Sequence, residues 1–510
     1  MGEPGPNGAR LLMTRAILVY AKFYTTSVLF AHVVKFLLDH RASETQDVYF
    51  HLLFDDRRDR DLAQSLLDPA RVTCHALYEH CHPWHEKSWS SERIRRWEKL
   101  YGTPHLKGYT ASERILKGVP SGMHEPYVIH HIEYYENLLR DVQPVLFVAG
   151  PADALPAWVA IRVFQRNNIP ILILSPSRFG RRCFLSEDPH EHLGIRRIYE
   201  EKVAKGLAPE DVRPVDELIQ QYRDRRVKPA DYWAVSKAIR PRVFPRPNRL
   251  FREIHAAFRT DRQYYDERLC EILGRAFKAR LNGFCNWYLR SRTLRAIPSD
   301  RPFFFFPLQV EPEMALSTQG RGWTDQLALI RLISECLPID RYLYVKEHPM
   351  MSSGVRTLAF YKAVLKLPCV RLVDQFLDSY AIVPQAEAVI TLGSTTGWEA
   401  LMFNRPVLLA GRAFYEEFRE GVVPLNDIEQ LPHLLREMRH RVVSDDAIRC
   451  FAAAVFTKAP NAFLGEPRLF PELAGEVLSS DNFERISTLI LNKLNGLTAC
   501  TENKAPAGAH

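Results

Sequence analysis

Short apolar runs alternate with amphipathic stretches in two separate parts of the chain. In the first part, the runs predict strands at Ala16–Tyr20, Val48–Phe54, Val145–Val148 and Ile171–Leu174. In the second part, they predict strands at Phe303–Phe306, Tyr342–Lys346, Val370–Val373, Ala388–Leu392 and Val407–Ala410. Helical spacing separates these runs, as at Val28–Leu38 and Gln326–Cys336. Continuous apolar strands separated by helices are typical of parallel sheets covered on both faces.

The stretch between the two parts has a different pattern. It is rich in Arg, Lys and Tyr, gives few strand signals and carries prolines at Pro241, Pro245 and Pro247. A single core rarely grows beyond about 250–300 residues, so 510 residues favour two domains. We therefore predict an α/β protein with two Rossmann-like, doubly wound domains, at 14–206 and 301–498. A helical linker region is expected at 207–300, and the end of the second domain is expected to be helical.

Composition narrows the class of protein. Apolar residues make up 46% of the chain, charged residues make up 25%, and the formal charge is +8. This mild basic excess suits an anionic ligand, polymer or membrane face, and no nucleic-acid recognition motif accompanies it. Nine cysteines without a CxxC pair indicate reduced thiols rather than a disulfide framework.

The apolar segment 16–38 is the one stretch that could suggest a membrane span. Lys22, His32 and Lys35 interrupt it, whereas a spanning helix needs about 20 predominantly apolar residues. We interpret the segment as a buried strand, a turn and a helix. With no signal peptide in the first residues, we expect a cytoplasmic protein, with peripheral contact at the inner membrane or an export complex as a further expectation.

Polar side chains follow two predicted strands of the second domain. Glu311 and Glu313 come soon after Phe303–Phe306, and a carboxylate at such a point can act as a general base or hold a sugar hydroxyl. Lys346 and His348 end the strand Tyr342–Lys346, where Lys can bind phosphate and His can exchange a proton. The same residues are also typical of solvated surface loops, so each motif alone leaves both interpretations open.

A third motif is a strand-to-helix turn rich in Gly, Ser and Thr. It reads TLGSTTGWEAL over residues 391–401 and places Ser394, Thr395 and Thr396 where the helix should begin. The free N–H groups and the dipole of a helix N-terminus favour anions, and hydroxyl groups can add hydrogen bonds to a phosphate. Glu399 could hold a ribose or sugar hydroxyl. The alternative is that Ser394 or Thr395 only caps the helix.

Together these motifs resemble a known family. The strings PLQVEPE, VKEHP and GSTTGWEAL, followed by Arg405-Pro406-Val407 and 411–415 (GRAFY), resemble the capsule polysaccharide biosynthesis/export family, which includes capsular Kdo transferases. The resemblance covers roughly 302–415. It implies a GT-B fold, a donor such as CMP-Kdo bound by the second domain, and a polysaccharide or glycolipid acceptor. Glu311 stands where members often carry Gln, which leaves the donor sugar open.

The resemblance supports the roles of Glu313 and His348, and the other roles follow from the residue types and their places after predicted strands. Glu313 and His348 match the family's proline–glutamate and histidine–proline motifs and are the expected catalytic residues. The expected donor-binding residues are Glu311, Lys346, Ser394, Thr395, Thr396 and Glu399. Arg178 and Arg181, which follow a strand of the first domain, are candidates for binding the acceptor. Because Lys346 and the helix dipole already supply positive charge, no cofactor or metal is expected.

Three other functions remain open at this point. The chain could be a non-catalytic protein that binds or exports capsule polysaccharide, a nucleotide-sugar epimerase, or a glycerophosphotransferase-type enzyme. A crowded Cys and His segment, 74–85, lacks paired ligand spacing and favours a packed loop over a metal site.

Overall fold

The structure is a computed structural model, and the residues that it describes fall into two compact units. The units are Met1–Glu191 with Ala459–His510, and His192–Lys458. The described residues are 15–22, 26–81, 90–101, 110, 113, 116, 121–152, 154–177, 181–189, 194–224, 288–289, 291–298, 301–311, 316, 319–320, 323, 325–348, 356–465, 467 and 471–502.

The first unit contains a six-stranded sheet with the order β3-β2-β1-β4-β5-β6. All neighbouring strands are parallel except β5 and β6, which are antiparallel. The strands are β1 (Arg15–Ala21), β2 (Val48–Phe54), β3 (Val72–Ala76), β4 (Leu146–Ala149), β5 (Ile171–Pro176) and β6 (Cys183–Ser186).

Helices of the first unit pack against this sheet. Those before residue 191 are α1 (Ser27–His40), α2 (Ala42–Thr45), α3 (Arg57–Leu66), α4 (Leu77–His80), α5 (Ser91–Tyr101), α6 (His124–Val142) and α7 (Leu155–Arg166). A short 3₁₀ helix, Ser121–Met123, precedes α6.

The second unit contains a six-stranded sheet in which every neighbouring pair is parallel. Its order is β12-β11-β10-β7-β8-β9. The strands are β7 (Phe303–Pro307), β8 (Tyr342–Lys346), β9 (Val370–Val373), β10 (Ala388–Thr391), β11 (Val407–Leu409) and β12 (Val422–Pro424). The four Phe side chains of β7 are all buried, because helices cover both faces of the sheet.

The helices of the second unit complete the doubly wound arrangement. They are α8 (Ile195–Lys205), α9 (Pro209–Arg223), α10 (Gln326–Cys336), α11 (Leu358–Leu365), α12 (Ser379–Ile382), α13 (Thr395–Met402), α14 (Leu431–Met438) and α15 (Asp445–Lys458), with 3₁₀ turns at Val383–Gln385 and Ile428–Gln430. The apolar core of this unit lies between the sheet and helices such as α10 and α14.

The prediction of two doubly wound α/β domains is confirmed. In both sheets the order follows the Rossmann pattern, in which the first strand lies at the centre beside the fourth. Every strand predicted from the apolar runs is present. The edge strands β3, β6 and β12 were not predicted.

The end of the chain packs differently from the sequence prediction. The sequence places 459–498 in the second domain, but α16 (Ala474–Val477) and α17 (Ser480–Glu502), which follow a 3₁₀ turn at Pro471–Leu473, belong to the first unit. The physical reason is that Ile486, Ile490 and Leu494 of α17 join the apolar core beneath α1. Similarly, α8, which falls inside the predicted first domain, belongs to the second unit, and the predicted linker lies outside the described residues from 225 to 287.

Among the helices that the structure describes, none combines the length and the apolar character that crossing a bilayer requires.

Asn482, a buried residue, fixes the start of α17 through three side-chain hydrogen bonds. Its Oδ1 accepts a hydrogen bond from the Phe463 backbone N–H at 2.8 Å. Its Nδ2 donates to the carbonyl oxygens of Phe463 and Val477, each at 2.9 Å. A buried side chain with three such partners cannot be removed without leaving backbone polar groups unpaired.

We expect Asn482→Ala to lower the free energy of unfolding of the first unit by about 2–4 kcal/mol, because it leaves buried backbone groups without partners. The measurement is chemical denaturation of the full chain, followed by circular dichroism. Asn492→Ala, an exposed position on the same helix, is the matched control and should change stability little. Equal effects of the two substitutions would contradict this account of the helix.

Two histidines of the first unit are held in the neutral form. Burial lowers the pKa of His131 on α6 to about 4, and the hydrogen bond of its Nδ1 to the Tyr127 carbonyl, at 2.8 Å, opposes this only in part. Burial, helped by the nearby His80, also lowers the pKa of His75 on β3 to about 4. An unfolded histidine binds its proton near pH 6.5, so the folded state loses stability as the pH falls from there towards 4.

We expect His131→Phe to reduce the acid sensitivity of the protein. Between about pH 7 and about pH 5, the free energy of unfolding of the unsubstituted chain should fall by roughly 2 kcal/mol more than that of the variant. The reason is that only the unfolded form of the unsubstituted chain has this histidine to protonate. Denaturant midpoints at the two pH values measure the difference. His440→Phe changes an exposed histidine and should keep the native pH dependence; an unchanged loss in His131→Phe would show that another group is responsible.

Candidate functional site

The topology of the second sheet defines a crevice at its carboxyl edge. The chain order reverses between β7 and β10, which pair through Ala388↔Phe304 and Val389↔Phe305. In open α/β sheets ligands bind outside the carboxyl ends of the strands at such a switch point. The loops after β7, β8 and β10 all emerge at this edge, and neighbouring strands lie about 5 Å apart, so the three loop origins fall within about 10 Å.

The turn after β10 is organised by its hydroxyl groups. Thr391 Oγ1 accepts hydrogen bonds from the N–H groups of Gly393, at 3.3 Å, and Ser394, at 3.0 Å. Ser394 is the N-cap of α13, since its Oγ accepts the Thr396 N–H at 3.2 Å. Capping and anion binding are compatible here, because the dipole of α13 still points its positive end at the crevice.

Close backbone packing holds this turn in one conformation. Gly393 has φ of +130°, and a Cβ atom there would lie 2.4 Å from the Arg412 carbonyl oxygen. A Cβ atom on Gly397 would lie 2.3 Å from Tyr415 Oη, which donates a hydrogen bond to the Ser394 carbonyl at 2.5 Å. The glycines of the motif are therefore required by the approach of the 411–415 segment, which accounts for the two strings occurring together.

Of the four predicted donor-binding residues at this turn, Glu399 and Thr396 are the buried ones. Glu399 is 7% exposed. Burial first, and then the charge of the Glu399 carboxylate, raise the pKa values of Tyr222 and Tyr415. Ser394 and Thr395 are half-buried at the start of α13, whereas Thr396 is buried.

Lys346 and His348 lie where β8 ends. Lys346 is the last residue of the strand, it is 4% exposed, and its carbonyl oxygen accepts the Leu308 N–H at 2.9 Å. His348 is half-buried, and its backbone N–H donates to Glu347 Oε1 at 2.7 Å. The ends of β7 and β8 are thus directly joined by backbone hydrogen bonding.

An ion-pair cluster joins these loops and consists of the buried Arg356 and Glu347 and the half-buried Glu311. Arg356 Nε is 2.7 Å from Glu347 Oε2, and Arg356 Nη1 is 2.9 Å from Glu311 Oε2. The Tyr361 hydroxyl also donates to Glu347 Oε2, at 2.8 Å. Glu347 is 5% exposed, and burial raises the pKa of its carboxyl group while Arg356 acts in the opposite direction.

Gln326, the first residue of α10, connects the loop after β7 to this cluster. Its Oε1 accepts the Gln309 N–H at 2.8 Å, and its Nε2 donates to the Gln309 carbonyl at 3.3 Å and to Glu311 Oε1. Both oxygens of Glu311 are therefore engaged within the unit, one by Gln326 and one by Arg356. Its predicted role in donor binding stays a prediction.

The structure brings most of the predicted donor residues to one edge. Glu311, Lys346, His348 and the Ser394 turn all lie at the carboxyl ends of β7, β8 and β10. Glu313 and Arg178 lie outside the described residues. Arg181 belongs to the first unit, where its Nε is 2.5 Å from Glu476 Oε2 and its guanidinium lies over the Phe463 ring.

Sequence reasoning missed Arg356, Gln326 and Tyr361. Arg356 follows the string MMSSGV at 350–355 and belongs to no motif. The one available signal for Gln326 was its position directly after Asp325, which accepts the Leu327 N–H at 2.9 Å as the N-cap of α10. Such a position marks a helix start but gives no direction for the glutamine side chain.

The Cys and His segment of the first unit gives no metal centre among the residues described. There, no group of three or more His, Cys, Asp or Glu side chains is placed to hold a metal ion. His75 instead pairs with His51, with 3.1 Å between His75 Nε2 and His51 Nδ1.

Comparisons with known proteins give solved structures of low similarity and one family model that matches part of the chain. Among solved structures, the chain is similar to a β-Kdo 2,7-transferase, KpsC, of Thermosulfurimonas dismutans, at 14% identity and TM-score 0.33 over 63% of this chain and 79% of that one. It is also similar to UDP-GlcNAc 2-epimerase from Methanocaldococcus jannaschii, at 10% identity and TM-score 0.25 over 87% and 99%. A glycosyltransferase from Rickettsia africae ESF-5 gives 11% identity and TM-score 0.27 over 91% and 99%.

These TM-scores are low, so the fold assignment rests on the strand order. No curated protein matches the chain. Residues 263–456 match the family described as capsule polysaccharide biosynthesis protein. This range lies inside the second unit and includes all three strings at the crevice. The resemblance carried by those strings is therefore confirmed over residues 263–456, where the chain matches the capsule polysaccharide biosynthesis family on a Rossmann-like unit.

Proposed function

We propose that the protein is a glycosyltransferase that moves a sugar from a nucleotide donor onto a surface or capsular polysaccharide, or onto its lipid-linked acceptor. The observation that carries the proposal is the hydroxyl-rich N-terminus of α13 at the switch point of the second sheet, two strands from Lys346. An anion-binding helix start and a Lys at one sheet edge suit the phosphate of a nucleotide-sugar. The family match over the same residues supports sugar transfer as the chemistry.

The donor would bind with its phosphate at the crevice. Ser394, Thr395 and Thr396 supply hydroxyl and N–H groups at the start of α13, and Lys346 supplies a full positive charge. Because Lys346 is buried, water screens its attraction for a phosphate less than it would at an exposed site. Kdo, delivered as CMP-Kdo, is the sugar that the family resemblance favours.

The transfer step then needs one general base and one group that assists the departure of the phosphate. An acceptor hydroxyl oxygen attacks the anomeric carbon, and the bond from that carbon to the phosphate oxygen breaks. The electron pair of the broken bond stays on the phosphate, where His348 stabilises it or donates a proton. The hydroxyl proton passes to Glu313, the carboxylate assigned as general base.

An anionic acceptor would meet the basic groups of the first unit. Arg181 is held by Glu476, but both side chains are about half exposed, at 47% and 48%. Exposed ion pairs are worth about 1 kcal/mol or less, so an incoming anionic sugar can displace Glu476. Arg178 is the second candidate at this position. Work at the cytoplasmic face of the inner membrane, near an export complex, would fit a lipid-linked acceptor.

We expect one class of nucleotide among CMP, UDP, GDP and CDP to stabilise the native chain. At a ligand concentration of about 100 times Kd, the folded state gains about 2.7 kcal/mol, which raises the melting temperature by several degrees. Lys346→Met should abolish most of this rise, because it removes the charge that attracts the phosphate. Lys366→Met, an exposed position in the same unit, should keep it.

If none of the nucleotides raises the melting temperature, the result would contradict donor binding and would favour a non-catalytic polysaccharide-binding protein. If the rise in melting temperature persists in Lys346→Met, the phosphate binds away from the end of β8.

We expect Glu313→Ala and His348→Ala each to lower kcat for sugar transfer by about 100-fold to 10,000-fold, the range of a lost general acid or base. The measurement is transfer from the stabilising donor to an acceptor, with donor consumption followed separately in the absence of acceptor. Glu335→Ala and His440→Ala change exposed residues of the same types and should stay near native activity.

Full activity in both Glu313→Ala and His348→Ala would overturn the assignment of these roles. Consumption of the donor without any acceptor would identify an epimerase or hydrolase instead of a transferase.

A further inference from the structure

Arg356 is a buried cation with no role in the proposed transfer chemistry. Its side chain is 2% exposed, although arginine is rarely buried unless it is paired. It begins the described segment that leads into α11, whereas its ionic partners come from the loops after β7 and β8. The residue therefore joins the segment before α11 to the loops after β7 and β8, two strands that already pair in the sheet.

The guanidinium uses each of its nitrogens in a different direction. Nε faces Glu347 at 2.7 Å, Nη1 faces Glu311 at 2.9 Å, and Nη2 donates to the Gln309 carbonyl. The Phe360 ring lies 4.9 Å from the centre of the guanidinium. Nε and Nη1 are held by ionic attraction without hydrogen-bond geometry, and only Nη2 makes a hydrogen bond. A guanidinium spreads its charge over three nitrogens, whereas the ammonium of Lys is a single point charge.

The contact with Glu347 reaches the predicted catalytic histidine. Glu347 Oε2 accepts a hydrogen bond from the Tyr361 hydroxyl and forms an ion pair with Arg356 Nε at 2.7 Å. Glu347 Oε1 then accepts the backbone N–H of His348 at 2.7 Å. The main chain of His348 is in this way tied to Arg356 through one carboxylate.

The contact with Glu311 reaches the other loop. Gln326 donates a hydrogen bond to Glu311 Oε1. Its side chain also bonds both the N–H and the carbonyl oxygen of Gln309. Arg356 adds its own hydrogen bond to the Gln309 carbonyl. Hence the loop after β7, which leads towards Glu313, is attached to the same guanidinium as the His348 backbone.

We infer that Arg356 is a positioning residue that holds the loops after β7 and β8 in one arrangement, so that the groups that they carry face a single donor. This inference rests on the proposed function for the role of His348 and Glu313. Its structural content, the coupling of the two loops by one guanidinium, is independent of the donor.

The alternative is that the cluster only stabilises the fold. Removing one member of a buried ion pair is strongly destabilising whatever its function, because a charge is left without a partner. A loss of stability in an Arg356 variant therefore decides nothing. The positioning account and the purely structural account differ in which amides exchange faster in an Arg356 variant. They also differ in whether restoring the charge balance restores turnover.

The first experiment is amide hydrogen exchange on the full chain, without any ligand. In Arg356→Met we expect exchange at Gln309 and His348 to become faster by about 10-fold, since local openings become easier where the anchor is lost. Exchange in α15, a helix of the same unit outside the cluster, should stay native. Arg331→Met, an exposed position on α10, is the control and should change neither loop.

A double variant, Arg356→Met with Glu347→Gln, guards against simple misfolding. It removes the positive charge and one carboxylate charge together, and Gln can still accept the His348 N–H. We expect it to regain melting temperature relative to Arg356→Met. It should keep fast exchange at Gln309, because no cation then reaches that loop.

The second experiment separates kcat from KM in sugar transfer. Arg356→Met and the double variant should both lose about 10-fold to 100-fold in kcat, with the donor KM changed by less than about 3-fold. Arg356→Lys should recover only a small part of this loss, because it restores the charge without the fork.

The outcomes distinguish the inference from the proposed function. Native exchange at both loops in Arg356→Met, or an equal increase throughout the second unit, overturns the coupling. Native kcat in the double variant overturns the positioning role. If the native chain transfers no sugar while the two loops are coupled in exchange, the proposed function fails and the coupling by Arg356 stands.

Discussion

The arrangement of the candidate site depends on one constraint, that the strands of the second sheet are parallel and buried on both faces. Such strands can carry almost no polar side chains along their length, as the four buried Phe residues of β7 illustrate. Charged and hydroxyl-bearing residues are therefore displaced to the strand ends. Because the strands run the same way, their carboxyl ends share one edge, and chemistry that is far apart in sequence is collected there.

Two physical devices then fix the collected groups. After β10 the backbone itself does so, through close contacts at Gly393 and Gly397 that leave no room for a side chain. After β7 and β8 buried charges do so, through Arg356 and its two carboxylates. The close packing after β10 leaves no room for added atoms, whereas the ion pairs after β7 and β8 are disrupted when one charge is removed. The crevice is thus held rigidly on one side by shape and on the other side by electrostatics.

The sequence predicted what is local and missed what depends on distant contacts. Nine apolar runs correspond to observed strands, and Lys346, His348 and Ser394 were found because each lies at the end of such a run or two residues beyond it. The strands β3, β6 and β12 lie towards the sheet edges, where burial is incomplete and the apolar pattern is weak. Arg356 acquires its partners only when 311, 347 and 356 meet in the folded unit, and α17 reveals its place only through its packing on α1. Neither fact has a signature in neighbouring residues.

The return of the chain to the first unit has a consequence for biosynthesis. Domains usually fold as they leave the ribosome, beginning with the N-terminal one. Here α17 supplies part of the core under α1, and Asn482 closes a loop within residues 459–502 that the earlier chain needs. The second unit, 192–458, is contiguous and emerges whole while the first unit still lacks this helix. The later-made unit can therefore mature first, and the apolar face of α1 stays uncovered until translation has passed α17, which is the interval when a chaperone would be needed.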